Sequence, residues 1–149
     1  MIAFTLDVPL RWGDMDAMAH LNNVMYFRLM EEARIQWFAG LGFSALPTGE
    51  APILAHASCD FVRAMVYPGT ARVTQLVTRV GRASVEMSIV IERTDAPGLA
   101  YATGRTVIVW YDYAAQRSAP WPPAVRARLA LDEDGGTAPL TGPPPPPAE

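Results

Sequence analysis

Side chains able to do chemistry are few in this sequence, and their scarcity narrows the choices. All twelve basic residues are Arg and none is Lys, which removes Schiff-base chemistry and any phosphate loop that depends on a Lys. The one Cys is Cys59, and the two His are His20 and His56. A single Cys allows no internal disulfide, which fits a reducing cytoplasm. A zinc site of His and Cys ligands would use nearly all three at no recognised spacing, so no metal is expected. Gly42-Phe43-Ser44-Ala45-Leu46 comes nearest to a nucleophile elbow, but it lacks the closing Gly. Carboxylates remain. Asp14 and Asp16 lie in a stretch from Gly13 to Asn23 that also holds His20 and the pair Asn22-Asn23, with no apolar period. A carboxylate can attack a carbonyl or activate a water. It can equally make an Asx turn or cap a helix, and the residues alone leave both readings open for Asp16.

The elements that must position this stretch are legible on either side of it. Residues 2–12 alternate strictly, with Ile2, Phe4, Leu6, Val8, Leu10 and Trp12 on one face, and read as a half-buried strand with Pro9 marking an edge or a bulge. Asn at 22–23 is a favoured helix start. Residues 23–39 then carry Tyr26, Leu29, Met30, Ala33 and Trp37 at helical spacing. Val24, Phe27, Ile35 and Phe38 fall on the other side, among charged residues, so the helix is expected to be enclosed on two sides. Arg28 and Glu32 are spaced to pair, and Gly40 and Gly42 to end the helix. Strands are predicted at 53–67, 71–80, 83–94 and 100–112, with turns at Pro68-Gly69, Gly81 and Pro97-Gly98. In the third, Val85, Met87, Ile89 and Ile91 face inward. One helix with several long antiparallel strands makes an α+β domain in which a curved sheet covers the helix.

The chain has 149 residues, half of them apolar, enough for one domain. Its net charge of −3 argues against a nucleic-acid partner. No apolar run reaches the ~20 residues of a membrane span, and the first residues do not resemble a signal peptide. Nine of the 14 Pro lie between Pro120 and Pro147, five of them consecutive. The domain is therefore expected to occupy residues 1–128, followed by a Pro-rich, disordered tail over 129–149. A chain ended after Arg128 is expected to fold and turn over as the full one does.

The segment Arg11-Trp12-Gly13-Asp14-Met15-Asp16, then His20-Leu21-Asn22-Asn23, Tyr26-Phe27-Arg28 and Glu31-Glu32-Ala33-Arg34, resembles the opening of the hotdog-fold acyl-CoA thioesterases. It is most similar to their 4-hydroxybenzoyl-CoA thioesterase-like branch. The resemblance continues more loosely to about Asp112, through Asp60-Phe61-Val62-Arg63 and Gly81-Arg82-Ala83-Ser84. It implies a long helix wrapped by a five-stranded antiparallel sheet, and homodimers that join two sheets edge to edge, often paired into homotetramers. It also implies active sites at the dimer interface, an acyl-CoA substrate and no cofactor.

The resemblance also assigns roles. The second Asp of Gly-Asp-x-Asp, here Asp16, is the catalytic carboxylate. The main-chain N–H of Asn23 donates to the thioester oxygen, a role suited to the unpaired N–H groups of a helix start. The His that some relatives carry near the helix start aligns with Asn23 rather than His20, so His20 is expected to orient the loop at the substrate by a hydrogen bond. Asp14 is expected to be structural. Glu31 and Glu32 are expected to be solvated or paired with Arg, although another hotdog branch uses a helix Glu. Arg82 and Ser84 fall at the turn where relatives bind the nucleotide, and Arg is suited to phosphate. With no adjacent Lys, that grip is open to sharing with Arg63 or Arg79. Tyr26, Phe27 and Phe61 are expected to shape the pocket, and Cys59 and His56 to line core or pocket. The alternative reading is a hotdog module that binds acyl-CoA or acyl carrier protein without hydrolysis. A hotdog dehydratase is a third, but it calls for a His and Asp pair in a different setting.

Overall fold

The computed structural model describes residues 2–42 and 49–131. Its main elements are β1 (Ile2–Pro9), α1 (Asn23–Gly40), β2 (Glu50–Phe61), β3 (Thr70–Val80), β4 (Ser84–Arg93), β5 (Ala100–Asp112), β6 (Arg117–Ser118) and α2 (Pro123–Leu131). The five long strands form one antiparallel sheet in the order β1-β3-β4-β5-β2, and β6 adds a short pairing to β5. The sheet curls around α1, as a hotdog fold requires. Residue 43 and residues 44–48, with the elbow-like Ser44, lie outside the described residues, as does most of the expected tail. Among the described residues no helix is long and apolar enough to cross a membrane.

Alternation decides which face of the sheet meets the helix. Val85, Met87, Ile89 and Ile91 of β4 are all at most 1% exposed, and Ala71, Val73 and Val77 of β3 and Ile108 and Trp110 of β5 join them. From the helix come Tyr26, Leu29, Met30, Ala33 and Trp37, the predicted face. The cross-strand row Gln75–Ile89–Gly104–Cys59 runs beneath it. At Gly104 a Cβ would lie 3.0 Å from Met30 Sδ and 2.8 Å from the Ser58 carbonyl oxygen. The backbone of β2 thus admits only a glycine at this point of β5, and Met30 of α1 packs over it. The amide of Gln75, fully buried in the same row, has no hydrogen-bond partner among the described residues.

Several boundaries differ from expectation, each for a local reason. β1 ends at Pro9, and a three-residue 3-10 turn (Trp12–Asp14) follows, which rotates Trp12 outward to 79% exposure. The strand expected to run to residue 67 leaves the sheet after Phe61. There the N–H groups of Val62 and Arg63 both donate to the Tyr101 carbonyl, a bulge that ends the ladder and carries Met65 into the core. On α1, Phe38 is buried beside Trp37, whereas Val24, Phe27 and Ile35 remain exposed within one chain. Gly42, at φ +92°, closes the helix as expected.

The sequence patterns did not anticipate β6 and α2. Trp121 stacks on Trp110 with ring centroids 5.4 Å apart. Leu129 is fully buried and Arg128 Nη1 donates to the Leu41 carbonyl at 2.6 Å. The domain limit expected at residue 128 therefore falls inside a helix that packs on the core. Leu129→Ala should lower stability by about 2–5 kcal/mol, measured by denaturant titration. A chain ended after Arg128 should melt well below one ended after Leu131, and equal melting would show that Leu129 contributes nothing.

Candidate active site

The loop between β1 and α1 is built by its own polar residues. Once Pro9 has ended the strand, Leu10 N–H donates to the Gly69 carbonyl at 2.8 Å. Asp14 is 7% exposed, and its carboxylate is saturated. It accepts from the Arg11 main-chain N–H at 2.9 Å and from Arg11 Nε at 3.1 Å, and pairs with Nη2 at 2.9 Å. Its carbonyl accepts from Asn22 N–H at 3.0 Å, and Leu21 N–H donates to the Met65 carbonyl at 2.8 Å. The loop is thus sewn to the segment that follows β2. Asp14 is structural, as expected.

Asp16 sits at the tip of this loop. Its N–H donates to the His20 carbonyl at 2.8 Å and its carbonyl accepts from Ala19 N–H at 3.0 Å, a tight hairpin closed by Ala19 at φ +59°. A left-handed alanine costs roughly 1–2 kcal/mol, and such strain is found where a loop must present something. Asp16 Oδ1 accepts from Met18 N–H at 2.8 Å and, weakly, from His20 N–H at 3.4 Å. This is the Asx turn of the plainer reading. Oδ2 takes no hydrogen bond among the described residues, so the turn holds one oxygen only. The hydrogen bonds by which His20 braces the loop are made by its main chain.

At the start of α1 the two Asn divide the work. Asn22 is the cap: its Oδ1 accepts from Val24 N–H at 3.0 Å and its carbonyl from Met25 N–H at 2.8 Å. Asn23 N–H, the first of the helix, has no acceptor among the described residues. It carries the partial positive charge of a helix N-terminus, which suits an oxyanion.

These groups share one cleft of about 240 Å³, lined by Asp16, His20, Asn23, Tyr26, Phe61 and Arg63, with Met18, Leu21, Val62 and Ala64 completing the wall. Tyr26 is 2% exposed and packs edge-on against Phe61, with centroids 5.2 Å apart. Burial, first, holds its phenol above the usual range, so it stays neutral. Arg63 has no ion-pair partner among the described residues. It is the residue the sequence weighed least well: its motif was noticed, but not its place on the cleft that Asp16 lines.

Other expected residues stand apart. Arg82 and Ser84 flank the β3–β4 turn, at the far end of the sheet. Arg79 pairs with Glu86 at 3.1 Å. Glu31, rather than Glu32, pairs with Arg28 at 2.8 Å, while Glu32 accepts from Gln36 Nε2 at 2.7 Å. Neither Glu lines the cleft. Burial, with Asp60 next, pushes the Cys59 thiol up to about 11, so it is no thiolate nucleophile near neutrality. Exposed His56 lies on β2. Among the described residues no group of His, Cys, Asp or Glu is placed to hold a metal.

Comparison with known proteins places this geometry. A family profile for the thioesterase-like superfamily matches residues 10–129. A candidate thioesterase from Pseudomonas aeruginosa is 32% identical and superimposes with a TM-score of 0.82, covering 87% of this chain and 99% of its own. A candidate acyl-CoA thioesterase from Xanthomonas campestris is also 32% identical, with a TM-score of 0.73 over 80% of this chain and 99% of its own. The 1,4-dihydroxy-2-naphthoyl-CoA thioesterase of Synechocystis, at 18% identity, shares the fold with a TM-score of 0.77 over 85% of this chain and 95% of its own.

The closed Asp14 arrangement makes a stability prediction. Asp14→Ala strands the Arg11 main-chain N–H and frees the loop, and should cost about 1–3 kcal/mol. Thermal melting measures it. A variant as stable as the parent would show that the loop is held by its backbone alone.

Proposed function

The chain belongs to the thioesterase-like superfamily, and from that premise we propose that it hydrolyses an acyl-CoA thioester to a free acid and CoA, with Asp16 as the reacting carboxylate. The observation that carries the reading is a carboxylate oxygen and a helix N-terminal N–H, both without partners among the described residues, on one cleft. The N–H of Asn23 receives the thioester carbonyl oxygen and holds the negative charge that grows on it. Asp16 Oδ2 then either attacks the carbonyl carbon, giving a mixed anhydride that water opens, or takes a proton from the water that attacks. On either path the C–S bond breaks, the acyl group leaves with a water oxygen and the sulfur recovers a proton. Tyr26 and Phe61 bound the acyl end. Arg63 offers a cation to the CoA phosphates or to the product carboxylate. The 32% identity to a candidate acyl-CoA thioesterase supports the substrate class.

The reading extends to a dimer. β2 is twelve residues long and lies at the edge of the sheet, its outer side unpaired among the described residues. Exposed Leu54 and Phe61, with Val62 and Val66 beyond, make that edge apolar. Such an edge is normally covered or paired. Within one chain Arg82 is remote from Asp16: Phe61 sits opposite Ala102 and Ser84 opposite Val109, seven residues along β5, roughly 23 Å at strand rise. A two-fold axis pairing two β2 edges antiparallel inverts the partner sheet. The partner's β3–β4 turn then comes to the end where this cleft opens. A shared site follows, in which one CoA lies across both subunits.

Two measurements test these points. Asp16→Asn should lower kcat by about 10²–10⁴-fold, read as CoA-thiol release across an acyl-CoA panel, with CoA binding and the circular dichroism spectrum retained. An unchanged kcat overturns the assignment of Asp16. Light scattering at micromolar concentration should show a dimer or larger; a monomer would rule out the shared site.

A further inference from the structure

The β3–β4 turn is held from outside. Gly81 N–H donates to the Ser84 carbonyl at 2.7 Å and closes it. The other three carbonyls of the turn accept from β5 and from the segment at and before α2. Ala83 accepts from Trp110 N–H at 2.8 Å and Arg82 from Trp121 N–H at 3.0 Å. Gly81 accepts from Arg126 Nη1 at 2.9 Å. The donors are themselves anchored. Trp121 is 4% exposed against Trp110, and Val125 and Leu129 hold α2 on the core. Arg126 is exposed and makes no ion pair among the described residues. Its side chain's one hydrogen bond among the described residues is this reach across to Gly81. What the turn presents to solvent is the Arg82 side chain, exposed and likewise without an ion-pair partner among the described residues.

We propose that Arg126 is a positioning residue for nucleotide binding: from α2 it fixes the main chain of the β3–β4 turn so that Arg82 is presented to the phosphates of CoA. This inference rests on the reading of Arg82 as a phosphate contact. Its physical basis is preorganisation. A loop already held in its bound shape loses less freedom on binding, and a planar guanidinium anchored to a carbonyl is a stiff brace. Because the phosphates lie far from the reacting carbonyl, the contribution is to ground-state and transition-state binding alike and falls on KM.

The experiment compares Arg82→Ala, Arg126→Ala and the double variant on an acyl-CoA and on the matching acyl-pantetheine thioester, which has no nucleotide. Arg82→Ala should raise KM for acyl-CoA about tenfold, as expected for one lost charge-assisted contact at the surface. Arg126→Ala should raise it about three- to tenfold with kcat unchanged. Neither should alter KM for the pantetheine thioester. If Arg126 acts through Arg82, the double variant is no worse than Arg82→Ala, and Arg126→Lys, which keeps a donor for Gly81, restores most of the loss. Arg126→Gln, with circular dichroism, serves as a second variant should the alanine form fold poorly. Additive effects would make Arg126 an independent contact and overturn the positioning role, as would an equal rise on both substrates or no rise at all. If Arg82→Ala itself leaves KM unchanged, the phosphate reading of the turn fails and takes this inference with it. If only Arg126→Ala is silent, the reading stands and the inference alone falls.

Discussion

The height of α1 above the sheet is the constraint on which the rest depends. Met30 rests over Gly104, which has no side chain, and a Cβ there would clash with the Ser58 carbonyl of β2 and crowd the Met30 sulfur. At that height Ala33 and Trp37 bury completely and Tyr26 meets Phe61 at the sheet edge. The first turn of the helix then stands over the end of β2. Its unpaired N–H group is consequently offered to a cleft instead of to open solvent, and a helix N-terminus in a partly enclosed site holds an anion far better than one in water.

The loop before α1 solves a second problem, the presentation of a carboxylate without satisfying it. Asp14 spends both oxygens on Arg11. Asp16, two residues on, spends only one, on its own hairpin. The difference is positional: Asp14 is folded under the loop, whereas Asp16 caps a turn closed by a left-handed alanine. The cross-links from Leu10 to Gly69 and from Leu21 to Met65 tie this arrangement to the segment after β2, which supplies Arg63. Arg93 braces that segment from behind, donating to the carbonyls of Val66 and Pro68 while gripping Asp95.

At the opposite end of the sheet the C-terminal segment plays the corresponding part. Trp121, just before α2, closes the core over Trp110, and Arg126 of α2 reaches the β3–β4 turn. Core packing and turn geometry are thereby coupled: the aromatic stacking that stabilises the domain also sets where Arg82 stands.

Local pattern determined much of this by itself. Period-two alternation located β3, β4 and β5 nearly to the residue, and helical spacing named the buried face of α1, because each reports the burial of a single element. Asp16 and Asn23 were singled out by the resemblance, not by periodicity; seven residues apart on one continuous loop and helix start, they line one cleft. Tertiary structure decided what depends on where the chain leaves an element. Phe61 to Tyr67 reads as more strand, since its apolar residues suit a sheet; only the bulge at Tyr101 turns it aside, buries Met65 and brings Arg63 to the cleft that Asp16 lines. The Pro-rich C-terminal stretch hid α2, whose few apolar residues are too sparse to mark a helix until Trp121, Val125 and Leu129 find one core beneath them. Arg82 was placed at its turn by the sequence, but its distance from Asp16 follows from the register of β2, β4 and β5, which no single strand encodes.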